Sequence, residues 1–199
     1  MFPLGMVHFP DVPLPLQVFE PRYRQLTIDC LDGDREFGVV LIERGSEVGG
    51  GDSRFDVGTM TTIREARFDD RGLILLDTVG TRRVRIMTWL EDDPYPRAEV
   101  EDLPAPEIGE EEVTLLAAAE RQVRRALALH AELGETTVPF NIRLDDDPRR
   151  ALFQLAAIAP LGPVDKQCLL SAAPLDLLRL LADFMDEHLA VLAHRLAGS

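Results

Sequence analysis

The single lysine of this chain restricts the catalytic chemistry that its sequence allows. A Ser–Lys dyad, in which the amine activates a serine hydroxyl, would have to use Lys166. Ser171 lies five residues further along a predicted helix, so the two side chains leave the helix on different faces. A Gly-Lys-Ser/Thr phosphate loop is excluded because Asp165 precedes Lys166. We expect neither peptidase nor ATPase activity, and therefore no enzyme.

Histidine and cysteine spacing forms no recognised metal-binding motif. The sequence contains neither His-Glu-x-x-His nor Cys-x-x-Cys; its histidines and cysteines are His8, His130, His188, His194, Cys30 and Cys168. His188 with Asp183 and Asp186 is an alternative cluster, but charges along an exposed helix face are usually solvated. We therefore expect no metal and no cofactor. Two cysteines in helical, partly apolar patterns indicate reduced thiols in a cytoplasmic protein.

The charge balance argues against two classes of partner. The formal net charge is −14, and both halves are acidic: residues 1–103 carry 20 acids against 12 bases, and residues 104–199 carry 15 against 9. Nucleic-acid binding draws most of its affinity from neutralising phosphates, and a negative field repels phosphates and anionic lipids alike. No run approaches the roughly 18 apolar residues of a membrane span. We expect no nucleic acid and no membrane as partners.

The elements around these residues change type near residue 104. Before it, short β-branched or alternating runs at residues 37–42, 57–68, 72–79, 81–90 and 97–103 predict strands, separated by turns at 49–52, 69–72 and 92–94. Short strands at this spacing are typical of a barrel or a sandwich. A stiff Pro104–Pro106 break follows, and the remaining periodicity is helical. The sequence predicts an α+β protein with a β subdomain at 1–103 and a helical subdomain at 104–199.

Proline and glycine mark where the predicted helices begin and end. Pro21 begins a helix of about three turns inside the β part, and Gly134 ends a long helix that begins at Glu110. Further helices follow from Pro148, from Pro163 and from about residue 174 to 196. The last carries leucines and one methionine at near-heptad spacing, a pattern that indicates a packed seam more often than a partner surface. The sequence thus predicts four helices after the break.

One block of sequence carries a family resemblance. The block runs Leu-Pro-Leu-Gln-Val-Phe-Glu-Pro-Arg-Tyr-Arg-Gln-Leu over residues 14–26, after Phe-Pro-Leu-Gly at 2–5 and Phe-Pro at 9–10. It resembles the opening of the Lon protease N-terminal, substrate-binding domain family in its standalone bacterial form. Segments at 37–40, 57–59, 80–86, 95–100 and 161–170 are similar to later parts of that family. Met1 stands closer to the Phe-Pro-Leu block than in most members, and the sequence contains no ATPase or peptidase region.

The resemblance implies a PUA-like β-barrel with one inserted helix, followed by a C-terminal helical bundle. It also implies a non-catalytic module that binds unfolded or specific protein segments, as an adaptor or a quality-control factor. A small-molecule regulatory domain with a barrel-side pocket is the alternative, and an RNA-binding PUA-like domain is disfavoured by the charge. We expect the partner site at Glu20, Arg22 and Arg24 with neighbouring apolar surface beside a strand at 14–18. Alternatively, these charges tie the helix to the barrel.

Overall fold

In the computed structural model, strands dominate the chain up to Asp102 and helices dominate after Glu110. The structure describes residues 1–45, 53–70, 72–135 and 138–197; the turn predicted at 49–52 lies outside them. Two compact units are present, Met1–Ala105 and Pro106–Ser199. Within the described residues, no helix combines the length and apolar character needed to cross a membrane.

The first unit is a mixed sheet with one helix inserted between its second and third strands. Its elements are β1 (Phe2–Leu4), β2 (Leu16–Val18), α1 (Pro21–Asp32), β3 (Glu36–Arg44), β4 (Ser53–Phe68), β5 (Ile74–Leu90) and β6 (Arg97–Asp102). Helix α1 begins at Pro21, as predicted, because proline supplies a helical φ and needs no N–H at that position. These elements and the helices that follow make the chain α+β, which confirms the predicted class.

The sheet runs in the order β1-β3-β4-β5-β2, and β6 pairs with the other half of β5. Only β1, beside β3, is parallel to its neighbour among the described pairs. Within the described part of the chain β1 and β2 are not paired with each other, so hydrogen bonds do not close the barrel that the resemblance implied. Both edge strands are only three residues long, and Pro3 removes a donor from β1.

Strand β5 corrects the prediction of two separate strands at 72–79 and 81–90. The chain continues through Gly80 without turning. A Cβ on Gly80 would lie only 2.3 Å from the backbone oxygen of Phe9, so the glycine serves a close approach between two backbones. A register shift in the β4–β5 pairing also falls at this point, between Met60 and Thr61. The glycine therefore marks a bulge and a close contact within one long strand.

The core of the first unit collects apolar side chains from its strands and from α1. Its buried members are Phe2, Leu4, Leu14, Val18, Tyr23, Leu26, Phe37, Val39, Ile63, Ile74 and Leu76. Helix α1 contributes Tyr23 and Leu26, whose three-residue spacing puts them on one face. The helix is therefore fixed against the inner surface of the sheet near its two edge strands.

The second unit contains the four helices that the sequence predicts: α2 (Glu110–Glu132), α3 (Pro148–Ile158), α4 (Pro163–Ser171) and α5 (Pro174–Ala197). Helix α3 begins after Asp147, whose carboxylate accepts the Arg149 N–H at 3.0 Å. Gly134 follows α2 with a φ of +75°, a conformation that favours glycine at a helix end. In the stripe along α5, Leu178, Leu181, Met185 and Leu192 are buried, and Leu175, Leu189 and Leu196 are half-buried. The stripe is mainly core, as predicted.

Candidate functional site

A groove opens in the first unit where its two edge strands face each other. We call it the β1–β2 groove: a hollow of about 270 Å³ lined by Phe2, Leu4 and Met6 on one side, residues 14–19 on the other, and Glu20 and Tyr23 at the start of α1. Both edges lack a further strand among the described residues. The groove thus combines an apolar lining with open sheet edges.

The floor of the groove is buried and its rim is exposed. Phe2 and Tyr23 stack with ring centroids 4.2 Å apart and planes 12° from parallel, and both side chains are buried. At the rim, Met6 is 50% exposed and Phe19 is 62% exposed. Exposed large apolar side chains beside a preformed hollow mark surfaces that can bind a partner. Covering such a phenylalanine stabilises a complex by roughly 1.5–3 kcal/mol at most.

The three charged residues predicted as the partner site lie at or near this groove in different settings. Glu20 precedes α1 and lines the groove, and its carboxylate accepts a hydrogen bond from Arg22 Nε at 3.2 Å. The Arg22 guanidinium also lies 4.4 Å from the centre of the Tyr23 ring. Both charged side chains are mostly covered, with 18% and 17% exposed. The Glu20–Arg22 pair therefore holds the start of α1 against the groove.

Arg24 is directed away from this pair. Its guanidinium packs against Gly72, where an added Cβ would lie 2.9 Å from Nη1 and Nη2. Its Nε is buried and has no hydrogen-bond partner among the described residues. This contact joins α1 to the segment between β4 and β5. The structure thus brings Glu20 and Arg22 together and places Arg24 at a separate packing contact.

Sequence reasoning predicted apolar surface beside the 14–18 strand, but it did not name the two exposed apolar residues of this site. Phe19 and Met6 were not singled out, because an isolated apolar residue in a loop has no periodicity from which exposure can be read. One signal was available. Apolar residues occupy both even and odd positions of the 14–19 segment, and successive side chains of a strand point to opposite faces, so they cannot all lie on one buried face. Leu14 and Val18 are buried, whereas Phe19 is exposed.

The residues considered for catalysis are engaged elsewhere, in the second unit. Lys166 Nζ donates to the Ala157 carbonyl oxygen at 2.6 Å, and burial lowers the pKa of this amine. The Ser171 hydroxyl donates to the Gln167 carbonyl oxygen at 2.9 Å. Lys166 and Ser171 are therefore bonded to different groups.

Two of the histidines meet in the second unit. His130 Nε2 lies 2.7 Å from His188 Nε2, while His130 Nδ1 contacts the Glu135 carboxylate. Arg195 donates to the same carboxylate at 2.5 Å, and these bonds from Arg195 and His130 hold the pKa of Glu135 below its usual value. Burial, and then His130, lower the pKa of His188. The contacts of His130 with His188 and of Glu135 with Arg195 tie the end of α2 to α5. Over the described residues, no three or more His, Cys, Asp or Glu side chains are grouped to hold a metal ion.

Comparison with known proteins identifies the family to which the chain belongs. The family model described as the ATP-dependent protease La (LON) substrate-binding domain matches residues 1–186. The chain therefore belongs to this family and resembles the substrate-recognition module of Lon proteases.

Individual relatives agree with the family match. The Lon protease of Dictyoglomus thermophilum is 29% identical over 135 residues, which is 67% of this chain and 16% of that protein. Lon protease 1 of Herpetosiphon aurantiacus is 22% identical over 173 residues, 84% of this chain and 21% of that protein. The chain thus spans about one fifth or less of the length of these relatives.

Two solved structures have the same fold. The Lon N-terminal domain protein from Xanthomonas campestris is 26% identical, with a TM-score of 0.65 over 92% of this chain and 96% of that chain. The N-terminal domain of the Mycobacterium avium complex Lon protease is 17% identical, with a TM-score of 0.66 over 94% of this chain and 97% of that chain.

Proposed function

We propose that the chain is a non-catalytic module that binds extended protein segments in the β1–β2 groove. The single observation that carries the proposal is this apolar groove with its exposed rim residues, Met6 and Phe19, in a member of the Lon substrate-binding domain family. We further propose that the first unit is an open form of a PUA-like barrel, with the groove where the strands do not close, and that the second unit is a helical bundle.

The character of the groove favours a protein segment over the alternative of a small molecule. Small-molecule sites are usually concave hollows of roughly 300–1,000 Å³ that cover most of the ligand. The groove, at about 270 Å³, lies just below that range and is bordered by exposed side chains. A chain that continues past both ends of the groove would use the rim, whereas a compact ligand would not reach it.

The acidic charge and the free thiols support the remaining parts of the proposal. A net charge of −14 disfavours nucleic acid and anionic membranes as partners. Cys30 and Cys168 are both free thiols, which fits a reducing, cytoplasmic setting. We propose that neither a metal nor catalysis takes part in binding, and that Glu20 and Arg22 orient the groove.

Binding of a labelled unfolded protein tests this function. Reduced, carboxymethylated lactalbumin carrying a fluorescent dye is titrated with the protein, and fluorescence anisotropy gives the dissociation constant. Phe19→Asp should weaken binding by about tenfold, because covering the exposed part of this side chain contributes roughly 1.5 kcal/mol. Met87 on β5 provides the control: it is 59% exposed, against 62% for Phe19, and does not line the groove.

Met87→Asp should leave the dissociation constant within about twofold of the original value, well under the tenfold step of 1.4 kcal/mol. Equal losses for the two variants would show that the groove is not the binding surface. An original protein that binds no unfolded chain would refute the proposed function itself.

A further inference from the structure

We propose that a bound segment adds to the sheet as a new strand on the outer edge of β2, with its backbone paired to that of Gln17. This inference rests on the proposed function, since it specifies how the β1–β2 groove holds its occupant. It assigns the binding to backbone hydrogen bonds, with the apolar lining selecting the side chains.

The alternation of hydrogen-bonded and non-hydrogen-bonded residues along β2 shows which backbone groups face outward. The Leu14 N–H donates to the Thr78 carbonyl oxygen at 2.9 Å. The β2–β5 register continues from that pair through Leu16↔Leu76 and Val18↔Ile74. In an antiparallel pair, every second residue exchanges hydrogen bonds with its partner. Leu16 and Val18 therefore bond to β5, and the intervening Gln17 directs its N–H and C=O away from β5.

The outer edge of β2 is short and open. Pro15 has the same phase as Gln17, so its carbonyl oxygen also faces outward, but it has no N–H to donate. Pro15 and Gln17 both line the groove, both are exposed, and β2 pairs only with β5 among the described strands. The edge thus presents two acceptors and one donor, which is enough to fix the register of one added strand.

The side chains around this edge indicate which sequence pattern the bound segment has. Successive side chains of a strand point to opposite faces. A strand beside β2 would direct alternate side chains into the groove, toward Leu16 and Val18 and toward Phe2 and Leu4 on the opposite wall. We therefore infer a segment with apolar residues at every second position.

The charge of the first unit indicates which charges the residues at the two ends of the bound segment carry. Residues 1–103 carry 20 acids against 12 bases, and among the described residues Glu20, which is paired with Arg22, is the one charged residue that lines the groove. A negative field of this kind raises the encounter rate of a positively charged partner and repels a negatively charged one. The occupant is thus an extended segment with alternating apolar residues between basic flanks.

Backbone-modified peptides test the strand pairing directly. The probe is acetyl-Lys-Val-Ser-Val-Ser-Val-Lys-amide, and two further versions carry one N-methyl group each, on amides that face opposite edges of the extended peptide. One N-methyl version should bind at least tenfold more weakly than the probe, and the other should bind much like it, because only one edge pairs with β2. At low salt, a version with glutamates in place of both lysines should bind more weakly than the lysine probe.

Amide exchange measured by NMR on the ¹⁵N-labelled full chain locates the pairing. Addition of the probe should slow exchange of the Gln17 amide at least tenfold. Gln17→Pro removes this donor without removing a bond to β5, so it should weaken binding tenfold or more while the urea midpoint stays close to the original. Gln17→Ala keeps the backbone N–H, so its loss of binding affinity should be several-fold smaller than that of Gln17→Pro.

The outcomes separate this inference from the proposed function. If the probe binds and both N-methyl versions bind equally, with the Gln17 amide exchanging as before, strand addition is wrong and the groove binds by side chains alone. If neither the probe nor unfolded lactalbumin binds, the proposed function is refuted together with the strand pairing. If Gln17→Pro does not fold, the N-methyl pair and the exchange rates still decide the question.

Discussion

His8 should make the stability of the first unit depend on pH in a way that one substitution can remove. The residue is 3% exposed, and its Nε2 is buried without a hydrogen-bond partner among the described residues. Burial lowers the pKa of its imidazole to about 4. In the unfolded chain a histidine has a pKa of about 6.5, so the unfolded state binds the proton first as the pH falls.

The sign and size of the effect follow from these two pKa values. A depressed histidine pKa contributes stability that is present above about pH 6.5 and is lost as the pH falls toward 4. The linkage relation gives a loss of about 2 kcal/mol between pH 7.5 and pH 5, approaching about 3 kcal/mol in stronger acid. Carboxylates that titrate in the same range add to the total loss, but they cancel when two variants are compared.

Urea unfolding at pH 7.5 and pH 5 measures this contribution. Trp89, the only tryptophan, lies in β5 of the same unit and reports its unfolding by fluorescence. The original protein should lose about 2 kcal/mol more than His8→Gln between the two pH values. His194→Gln, at an exposed position on α5, controls for the removal of a histidine and should behave like the original. Equal losses for all three proteins, or an NMR titration of His8 near pH 6.5 in the folded state, would refute the reasoning.

Three further predictions concern packing and reactivity. Leu178→Asp should lower the free energy of unfolding of the second unit by at least about 3 kcal/mol, because it buries a charge. Val191→Asp, on the exposed face of α5, should lower it by under about 1 kcal/mol, and circular dichroism measures both values. Gly80→Ala should cost several kcal/mol in the Trp89 assay, since its Cβ would meet a backbone oxygen at 2.3 Å; an unchanged midpoint would show that the strands separate freely there. Cys168 is exposed, while burial raises the pKa of Cys30 to about 11, so a disulfide reagent at pH 8 should label Cys168 first; labelling at equal rates would contradict this.

Helix positions were predictable because the signals that begin and end a helix are local. The helix beginning at Pro148 follows from an Asp-Pro pair that supplies both a cap and a helical φ, and the structure has this cap. Pro21 and Pro163 supply the same helical φ at two further helix starts, where no side chain caps the helix. Such signals need no knowledge of the rest of the fold.

The sheet was less predictable because its features depend on contacts distant in sequence. The sequence shows two runs on either side of Gly80, and only the approach of Phe9 explains why one strand continues through it. Strand β1 has three residues, too few for an alternating pattern to be read. Its parallel pairing with β3 joins segments more than thirty residues apart.

The charged residues and apolar surface beside the 14–18 strand were accessible from the sequence, and the groove itself was not. Glu20, Arg22 and Arg24 stand out as three charges within five residues. The groove beside them exists because β1 and β2 come to face each other at opposite ends of the sheet order, with Phe19 between β2 and α1. That arrangement is a property of the topology, so sequence patterns cannot reveal it.

Photo-crosslinking of a bound peptide tests the central claim, that the β1–β2 groove is the surface that recognises protein segments. The probe peptide is prepared with benzoylphenylalanine in place of its middle valine, irradiated with the protein, and the crosslinked residues are located by mass spectrometry. The account predicts crosslinks to Met6 and to residues 14–20 that disappear when unmodified probe is added in excess. Competed crosslinks found only in residues 106–199, or only on β6, would contradict it.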